Sequence, residues 1–193
     1  MRILRAAEYR VMPWKNGGGT TTEIAVSPDG AGLDDFDWRI SMARVETGGP
    51  FSSFSGIDRT LSVLEGEGIV LDIAGRPPQR LTGASAPLSF PGDVPTSAAL
   101  ISGPITDLNI MTRRSRMNHA VERLSLAGAT EIEPAGEVTL VLASGGGVKV
   151  FTNTAATLAP LDTLIVDRNA PKLRLEPEGQ GMLFVIRLFG TYR

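Results

Sequence analysis

The sequence predicts an all-β protein made of two tandem jelly-roll β-barrels that pack as one compact unit. Apolar residues recur at every second position or in short runs, which is the spacing of strands and not of helices. Glycine and proline, 22 and 13 of the 193 residues, divide these runs into short segments. A unit of strand, glycine turn and strand occurs twice, which predicts two copies of one β-structure.

Two segments alternate most regularly between apolar and other side chains. The first places Arg39 and Ser41 on a common face of a strand, and the second does the same for Asp107 and Asn109. Further strands are predicted wherever β-branched and aromatic residues cluster between turn residues. Together, the predicted strands cover residues 22–26, 38–43, 60–64, 69–73, 107–111, 138–142, 148–151, 163–166 and 181–188.

The repeated unit comprises residues 61–71 and residues 140–150, which match in their apolar positions and in both glycines of a Gly-x-Gly turn. Downstream landmarks recur in the same order: Pro-x-Asp turns at residues 91–93 and 160–162, then hydrophobic strands at residues 108–111 and 183–186. A glycine-turn hairpin followed by a Pro-Gly-Asp turn resembles the cupin barrel, so two copies would form a bicupin. We therefore predict an amino-terminal barrel over residues 1–117 and a degenerate carboxy-terminal barrel over residues 118–193, with exchange of strands between them left open.

Composition and charge exclude several classes of function. The 19 Lys and Arg residues against 21 Asp and Glu residues give a formal charge of -2, so neither a nucleic-acid nor a membrane partner is expected. With no cysteine and one histidine, the sequence excludes disulfides, thiol nucleophiles and the usual zinc and iron sites. Charges interrupt residues 1–14, and the most apolar run, residues 182–186, is too short to span a membrane. We therefore expect a cytoplasmic protein.

Several strings of residues identify a family when they are taken together. They are Trp14-Lys15-Asn16-Gly17-Gly18-Gly19-Thr20, Glu23, Trp38-Arg39-Ile40-Ser41, Gly49-Pro50-Phe51-Ser52, Gly56-Ile57-Asp58-Arg59, Asp107-Leu108-Asn109 and Arg113-Arg114. In combination they resemble the HutD/Ves family over most of the chain. The resemblance implies a metal-free bicupin, associated with bacterial histidine utilisation, that binds a small pathway metabolite such as N-formyl-glutamate and restrains the output of the pathway.

The positions that hold a metal in other cupins carry different chemistry here. Metal-binding cupins typically present the pattern His-x-His-x-x-x-Glu before a glycine turn. Counted back from Gly66, the glutamate position is Arg59, the two histidine positions are Ser53 and Ser55, and the last histidine is replaced near residues 95 and 96. A guanidinium is positively charged and has no lone pair for a cation. The sequence therefore predicts no metal, no cofactor and a preference for anions.

Inward-facing polar residues would give the first barrel a floor that binds a small carboxylate. Arg39 and Arg59 are expected to hold the negative charge, while Asn109, Ser41 and Lys15 orient the ligand. A buried charge needs a partner, so an Arg–Asp pair is expected as well. The full set of candidate ligand-binding residues is Lys15, Asn16, Gly17, Glu23, Arg39, Ser41, Ser52, Arg59, Asp107, Asn109 and Arg113.

The glycine run at residues 17–19 has two interpretations. Its backbone could approach a ligand closely and donate N–H groups, or it could form a turn that enters the first strand. It is not a Walker-type phosphate loop, because Lys15 precedes the glycines and a strand follows them. The family resemblance favours the ligand interpretation.

Three classes of function remain open on these residues. The leading hypothesis is a sensor or buffer that binds a small anionic metabolite and modulates histidine utilisation without catalysis. The alternative is a metal-independent hydrolase or isomerase acting on a formyl or imidazole compound, with Glu23 or Asp107 as general base and Lys15 as electrostatic stabiliser. The third is a protein-interaction or stress-response module whose second barrel binds a partner. A homodimer is left open.

Overall fold

A computed structural model of the chain describes residues 1–152 and 154–191. In this part of the chain the regular elements are 19 β-strands, numbered along the chain, and one short 3-10 turn at Ala6–Glu8. The all-β prediction is therefore confirmed. The chain divides into two units, one formed by Arg10–Met117 and the other by Met1–Tyr9 together with the chain from Asn118 onward. Among the described residues, no helix is long and apolar enough to cross a membrane.

The amino-terminal unit, Arg10–Met117, consists of two antiparallel sheets. Its six-stranded sheet has the order β2 (Arg10–Pro13), β3 (Gly19–Ser27), β4 (Trp38–Val45), β11 (Ile105–Arg113), β6 (Ile57–Glu65) and β9 (Leu88–Pro91). Its four-stranded sheet has the order β5 (Gly49–Pro50), β10 (Thr96–Leu100), β7 (Ile69–Ile73) and β8 (Gln79–Leu81).

The inward faces of these two sheets form the core of the amino-terminal unit. Its buried members are Ala43, Val45, Leu61, Val63, Ile69, Leu71, Ile73, Leu81, Phe90 and Ile105. Because side chains alternate along a strand, Arg39 and Ser41 share the inward face of β4 with Ala43. By the same alternation, Asp107 and Asn109 follow Ile105 on the inward face of β11.

The second unit is built in the same way, and its core is aliphatic. Its larger sheet has the order β1 (Arg2–Leu4), β17 (Thr163–Asp167), β14 (Val138–Ala143), β19 (Gly181–Gly190) and β12 (Met117–Leu126). Its smaller sheet has the order β13 (Thr130–Ile132), β18 (Leu173–Glu178), β15 (Gly147–Phe151) and β16 (Ala155–Leu158). The core is Leu126, Ile132, Val141, Ala143, Val148, Val150, Leu158, Leu164, Val166, Leu173, Leu175, Leu183 and Val185.

The strand orders of the two units confirm that one β-structure occurs twice. The order β4-β11-β6-β9 in the first unit corresponds to β12-β19-β14-β17 in the second, and β5-β10-β7-β8 corresponds to β13-β18-β15-β16.

Two details of the predicted repeat are wrong. The Gly-x-Gly turn does not close a hairpin, because β6 and β7 lie in different sheets. The two Pro-x-Asp turns are not equivalent, because residues 91–93 follow β9 whereas residues 160–162 precede β17.

The first nine residues lie in the second unit, where β1 is the edge strand of the larger sheet and pairs with β17. The carboxylate of Asp162 fixes this segment, because it accepts hydrogen bonds from the Ala6 backbone at 2.8 Å and from the Arg5 guanidinium at 2.6 Å. Tyr9 donates to the carbonyl of Leu161 at 2.8 Å. Burial raises the pKa of the Tyr9 phenol to about 12, so the hydroxyl remains a donor over the physiological pH range.

The glycine run has a structural cause. Gly17 has a φ of +71°, which favours glycine, and its N–H donates to the Trp14 carbonyl at 3.1 Å. A Cβ atom at Gly19 would lie 2.1 Å from the carbonyl oxygen of Arg44 on the paired strand β4. The run therefore forms the tight connection from β2 to β3, which is the turn interpretation.

We expect Gly19→Ala to lower the free energy of unfolding by about 1–3 kcal/mol, because the added methyl group must displace a backbone atom. The matched control is Gly32→Ala, since a Cβ there meets nothing within 4 Å. Urea unfolding followed by circular dichroism measures both. Equal stability of the two variants would contradict the close approach at Gly19.

Candidate functional site

Polar side chains lie in adjacent rows across the inward face of the six-stranded sheet. Cross-strand pairing aligns Glu23, Ser41 and Asn109 in one row. In the next row Arg39 and Arg59 lie two strands apart, with about 10 Å between their backbones. With Asp107 in the row on the other side, these residues form what we call the interior polar cluster: Glu23, Arg39, Ser41, Arg59, Asp107 and Asn109.

Arg39 forms an ion pair with Glu23. Its Nε atom donates to Glu23 Oε2 at 2.8 Å, and Arg39 is only 6% exposed. The register of β3 on β4 shifts at a β-bulge, where Ile24 is an extra residue between Glu23 and Ala25, so Glu23 opposite Ser41 and Val26 opposite Arg39 both lie on the inward face. The sequence alone contains no clear signal for this bulge.

Arg59 reaches Asp107 through an amide. Its Nε donates to Asn109 Oδ1 at 2.7 Å, its Nη2 atom donates to the same oxygen, and Asn109 Nδ2 donates to Asp107 Oδ1. The Arg–Asp ion pair predicted for this floor is therefore wrong among the described residues of the cluster. Arg39 takes Glu23 as its partner instead, and the side chain of Asn109 separates Arg59 from Asp107.

Two aromatic rings enclose the Arg59 guanidinium. Its Cζ atom lies 4.4 Å from the centroid of the Phe51 ring and 5.8 Å from that of Phe90, which is within the range of cation–π attraction. Sequence analysis missed both rings as site residues. Phe51 lies in the Pro-Phe-Ser string, so that string carried a signal, whereas Phe90 is brought opposite Arg59 only by the pairing of β6 with β9.

Burial shifts the pKa values of two members of the cluster. Loss of hydration raises the pKa of the Asp107 carboxyl from 3.8 to about 7, although Arg59 and the hydrogen bond from Asn109 act in the opposite direction. Loss of hydration also lowers the pKa of the Arg59 guanidinium to about 10, opposed by Asp107 and reinforced by Arg39. At neutral pH Arg59 is therefore charged, while Asp107 is divided between its two forms.

The cluster retains donors that the protein does not use. Within residues 1–152 and 154–191, neither Nη atom of Arg39, nor Nη1 of Arg59, nor the hydroxyl of Ser41 has a hydrogen-bond partner. The unpartnered side-chain atoms that are sealed from solvent lie elsewhere in the described chain, on Ser62 and Thr191. The donors of the cluster therefore face space that solvent can reach, and positive N–H groups in such a place attract anions.

The other candidate residues lie outside this cluster. Lys15, Asn16 and Gly17 are exposed in the turn before β3, where Asn16 Oδ1 accepts a hydrogen bond from the Gly18 backbone at 3.0 Å. Ser52 is exposed in the loop before β6. Arg113 donates from Nε to the Phe36 carbonyl at 3.0 Å and from Nη2 to the Asp34 carbonyl. Arg113 thus holds the loop between β3 and β4.

The side chains at the metal positions of other cupins do not fit a metal here. Ser53 and Ser55 are exposed in the loop before β6, and Arg59 is a cation. The hydroxyl of Thr96 donates to the Val94 carbonyl at 3.0 Å. Across the described ranges, no three His, Cys, Asp or Glu side chains are grouped so that they could hold a metal ion. The donor set is cationic where a cation would bind.

Comparison with known proteins yields a family and close structural relatives. The HutD family model matches residues 6–185. An uncharacterised 21.2 kDa protein from the hutC 3′ region of Pseudomonas putida is 34% identical, and the match covers 93% of this chain and 94% of that protein. Protein Ves of Citrobacter koseri is 34% identical, with 90% and 88% covered. The structure of HutD from Pseudomonas fluorescens SBW25 superposes with a TM-score of 0.85 at 34% identity, covering 99% of both chains.

More distant structures confirm the fold. A cupin 2 conserved barrel domain protein from Leptotrichia buccalis superposes with a TM-score of 0.61 at 10% identity, covering 97% of this chain and 100% of that chain. A bacterial pirin from Escherichia coli gives 0.71 at 11% identity, with 99% of both chains covered. The predicted cupin fold is therefore confirmed.

We expect Asp107 to make the stability of the protein depend on pH. The unfolded chain releases this proton near pH 3.8, whereas the folded protein keeps it until about pH 7. Between these values the native state binds more protons, so the free energy of unfolding falls as the pH rises. Asp107→Asn removes this contribution, which has a ceiling of about 1.4 kcal/mol per pKa unit.

Urea unfolding at intervals from pH 4.5 to pH 7.5 measures this effect. The stability of the wild type relative to Asp107→Asn should decline across the range. Asp72→Asn, an exposed residue on β7, serves as the control and should follow the wild type. Parallel profiles for wild type and Asp107→Asn would show that Asp107 does not titrate abnormally.

Proposed function

This chain belongs to the HutD family, and from that premise we propose that it is a metal-free cupin that binds a small carboxylate metabolite and modulates histidine utilisation without catalysis. The proposed site is the interior polar cluster of the amino-terminal unit. The candidate ligand is N-formyl-glutamate or a related intermediate of histidine degradation.

The observation that carries this proposal is a group of four charged side chains in the interior of one of two similar units. Burying ionised groups is unfavourable unless they are paired and hydrogen-bonded. The second unit has the same strand order and an aliphatic core, and the charge on its inward face is that of Arg187, which follows Val185 on β19 and pairs with the exposed Glu122. The fold itself therefore does not require two guanidinium groups and two carboxylates in one interior. Buried charges that stability does not demand are typical of binding sites.

The arrangement of donors suits a carboxylate. Arg39 and Arg59 stand on either side of β11 and both retain free N–H groups. A carboxylate between them could accept hydrogen bonds from both guanidinium groups, which are the strongest donors for this anion. The hydroxyl of Ser41 adds a neutral donor in the adjacent row. Phe51 and Phe90 restrict the movement of Arg59 by stacking on it.

The names of two relatives support the physiological part of the proposal. The Pseudomonas putida relative is assigned to the hutC 3′ region, and the Pseudomonas fluorescens relative is called HutD. The structure of the latter is described as a formate condition. Formate is the simplest carboxylate, which makes it a suitable minimal probe beside N-formyl-L-glutamate.

One observation favours an enzyme as the second candidate. A carboxyl with a pKa of about 7, as at Asp107, is suited to general acid–base chemistry near neutral pH. A metal-independent hydrolase or isomerase would use this group on a formyl or imidazole compound. Glu23 is less suited to that role, because it is committed to the ion pair with Arg39.

We expect isothermal titration calorimetry to detect saturable binding of N-formyl-L-glutamate, formate or urocanate to the wild type. Arg59→Met should weaken the binding at least about tenfold, because one charge-assisted hydrogen bond is worth roughly 1.5–3 kcal/mol. The double variant Arg39→Met/Glu23→Gln should weaken the binding to a similar extent. Its second substitution avoids leaving a Glu23 carboxylate without its ion-pair partner. The control is Arg44→Met on β4, the strand that also carries Arg39. Arg44 is exposed and pairs with Glu46. Affinities that are unchanged in both cluster variants would refute the site.

A second measurement distinguishes the sensor from the enzyme. We expect wild-type protein incubated for hours with N-formyl-L-glutamate to leave it intact, as followed by the formyl proton in one-dimensional NMR. Release of formate by the wild type, lost in Asp107→Asn, would instead establish the enzyme. Arg44→Met again serves as the control for nonspecific effects.

A further inference from the structure

We propose that the amino-terminal unit takes up one proton, at Asp107, when a carboxylate enters its interior polar cluster, so that its affinity for carboxylates falls as the pH rises above neutrality. This inference rests on the proposed function, because it concerns the same cluster. It adds a pH response to that site and identifies the residue responsible.

The inference begins with the balance of charge inside the unit. Two guanidinium groups, Arg39 and Arg59, lie among two carboxylates, Glu23 and Asp107, so the ionised cluster has no net charge. Each carboxylate group that enters the cluster, such as formate or one carboxylate of N-formyl-L-glutamate, would leave one uncompensated negative charge among apolar core residues. Such a charge is strongly unfavourable away from water. One proton taken up with the anion restores neutrality.

Asp107 is the group that can accept this proton. Asp107 is 1% exposed, and its carboxyl group contacts the side-chain amide of Asn109 within the cluster, not a guanidinium. Glu23 has a side chain that is 17% exposed and contacts Arg39 directly at 2.8 Å. The raised pKa of Asp107, about 7, agrees with this assignment.

The groups that face Asp107 explain how the ligand and the proton are coupled. Arg59 faces it from β6, and Arg39 with Glu23 faces it from β4 and β3. The core residues of the opposing four-stranded sheet are apolar, among them Leu71. Arg59 is thus the main positive charge that favours the ionised form of Asp107. A carboxylate bound to Arg59 offsets that charge, so Asp107 holds its proton more tightly.

The test is the dissociation constant of sodium formate and of N-formyl-L-glutamate between pH 5.5 and pH 8.5, where the carboxylates of both probes are ionised. For the wild type we expect a constant value below neutrality and a rise of up to about tenfold per pH unit above it. The dissociation constants of the Asp107→Asn variant should not change with pH. Asp72→Asn, which changes an exposed residue on β7, should show the same dependence of the dissociation constants on pH as the wild type.

A second readout needs only the wild type and so does not depend on the folding of any variant. Addition of sodium formate to unbuffered protein held at pH 7.5 should consume roughly half to one equivalent of acid per chain at saturation. Binding at the same affinity across the pH range, with no uptake of acid, would overturn the inference and leave the proposed function standing. Failure of both probes to bind at any pH would overturn both.

Discussion

Two guanidinium groups and two carboxylates lie on an otherwise largely apolar inward face, where little water is available, so each charge needs a partner within the protein. The properties of the site depend on how these partners are arranged. Arg39 and Glu23 solve the problem by direct contact at 2.8 Å. Arg59 and Asp107 do so through the amide of Asn109. Indirect compensation leaves the carboxyl of Asp107 poorly stabilised as an anion and leaves Arg59 with a free N–H group. These two features are the basis of the proposed binding of anions and of the proposed uptake of a proton.

The two units of the chain form an internal control for this account. They share the order of eight strands, yet the second has an aliphatic core with the ion-paired Arg187 on its inward face, whereas the first carries the interior polar cluster. The architecture therefore does not depend on a cluster of four inward charges. The charges of the first unit destabilise it relative to such a core, and we attribute their presence to ligand binding.

Alternation in the sequence predicted the strands and the shared faces of Arg39 with Ser41 and of Asp107 with Asn109, because that pattern reflects a period of two. It could not predict irregular pairing, since a shift of one residue turns every side chain to the other face. The bulge in β3 places Glu23 on the same face as Val26, which regular alternation would not do. A second shift, in the pairing of β6 with β11, leaves Leu64 without a partner on β11. The residues of β6 that face inward are therefore displaced by one position from those of β14 when the two sequence repeats are aligned. The stacking of Phe90 on Arg59 depends on pairing between distant strands and has no local signal.

The most direct test of the central claim is a crystal structure of the protein grown with saturating N-formyl-L-glutamate. The account predicts one ligand in the amino-terminal unit, with carboxylate oxygens within about 3 Å of the guanidinium nitrogens of Arg39 and Arg59. A ligand bound elsewhere, with the cluster holding only water, would contradict it.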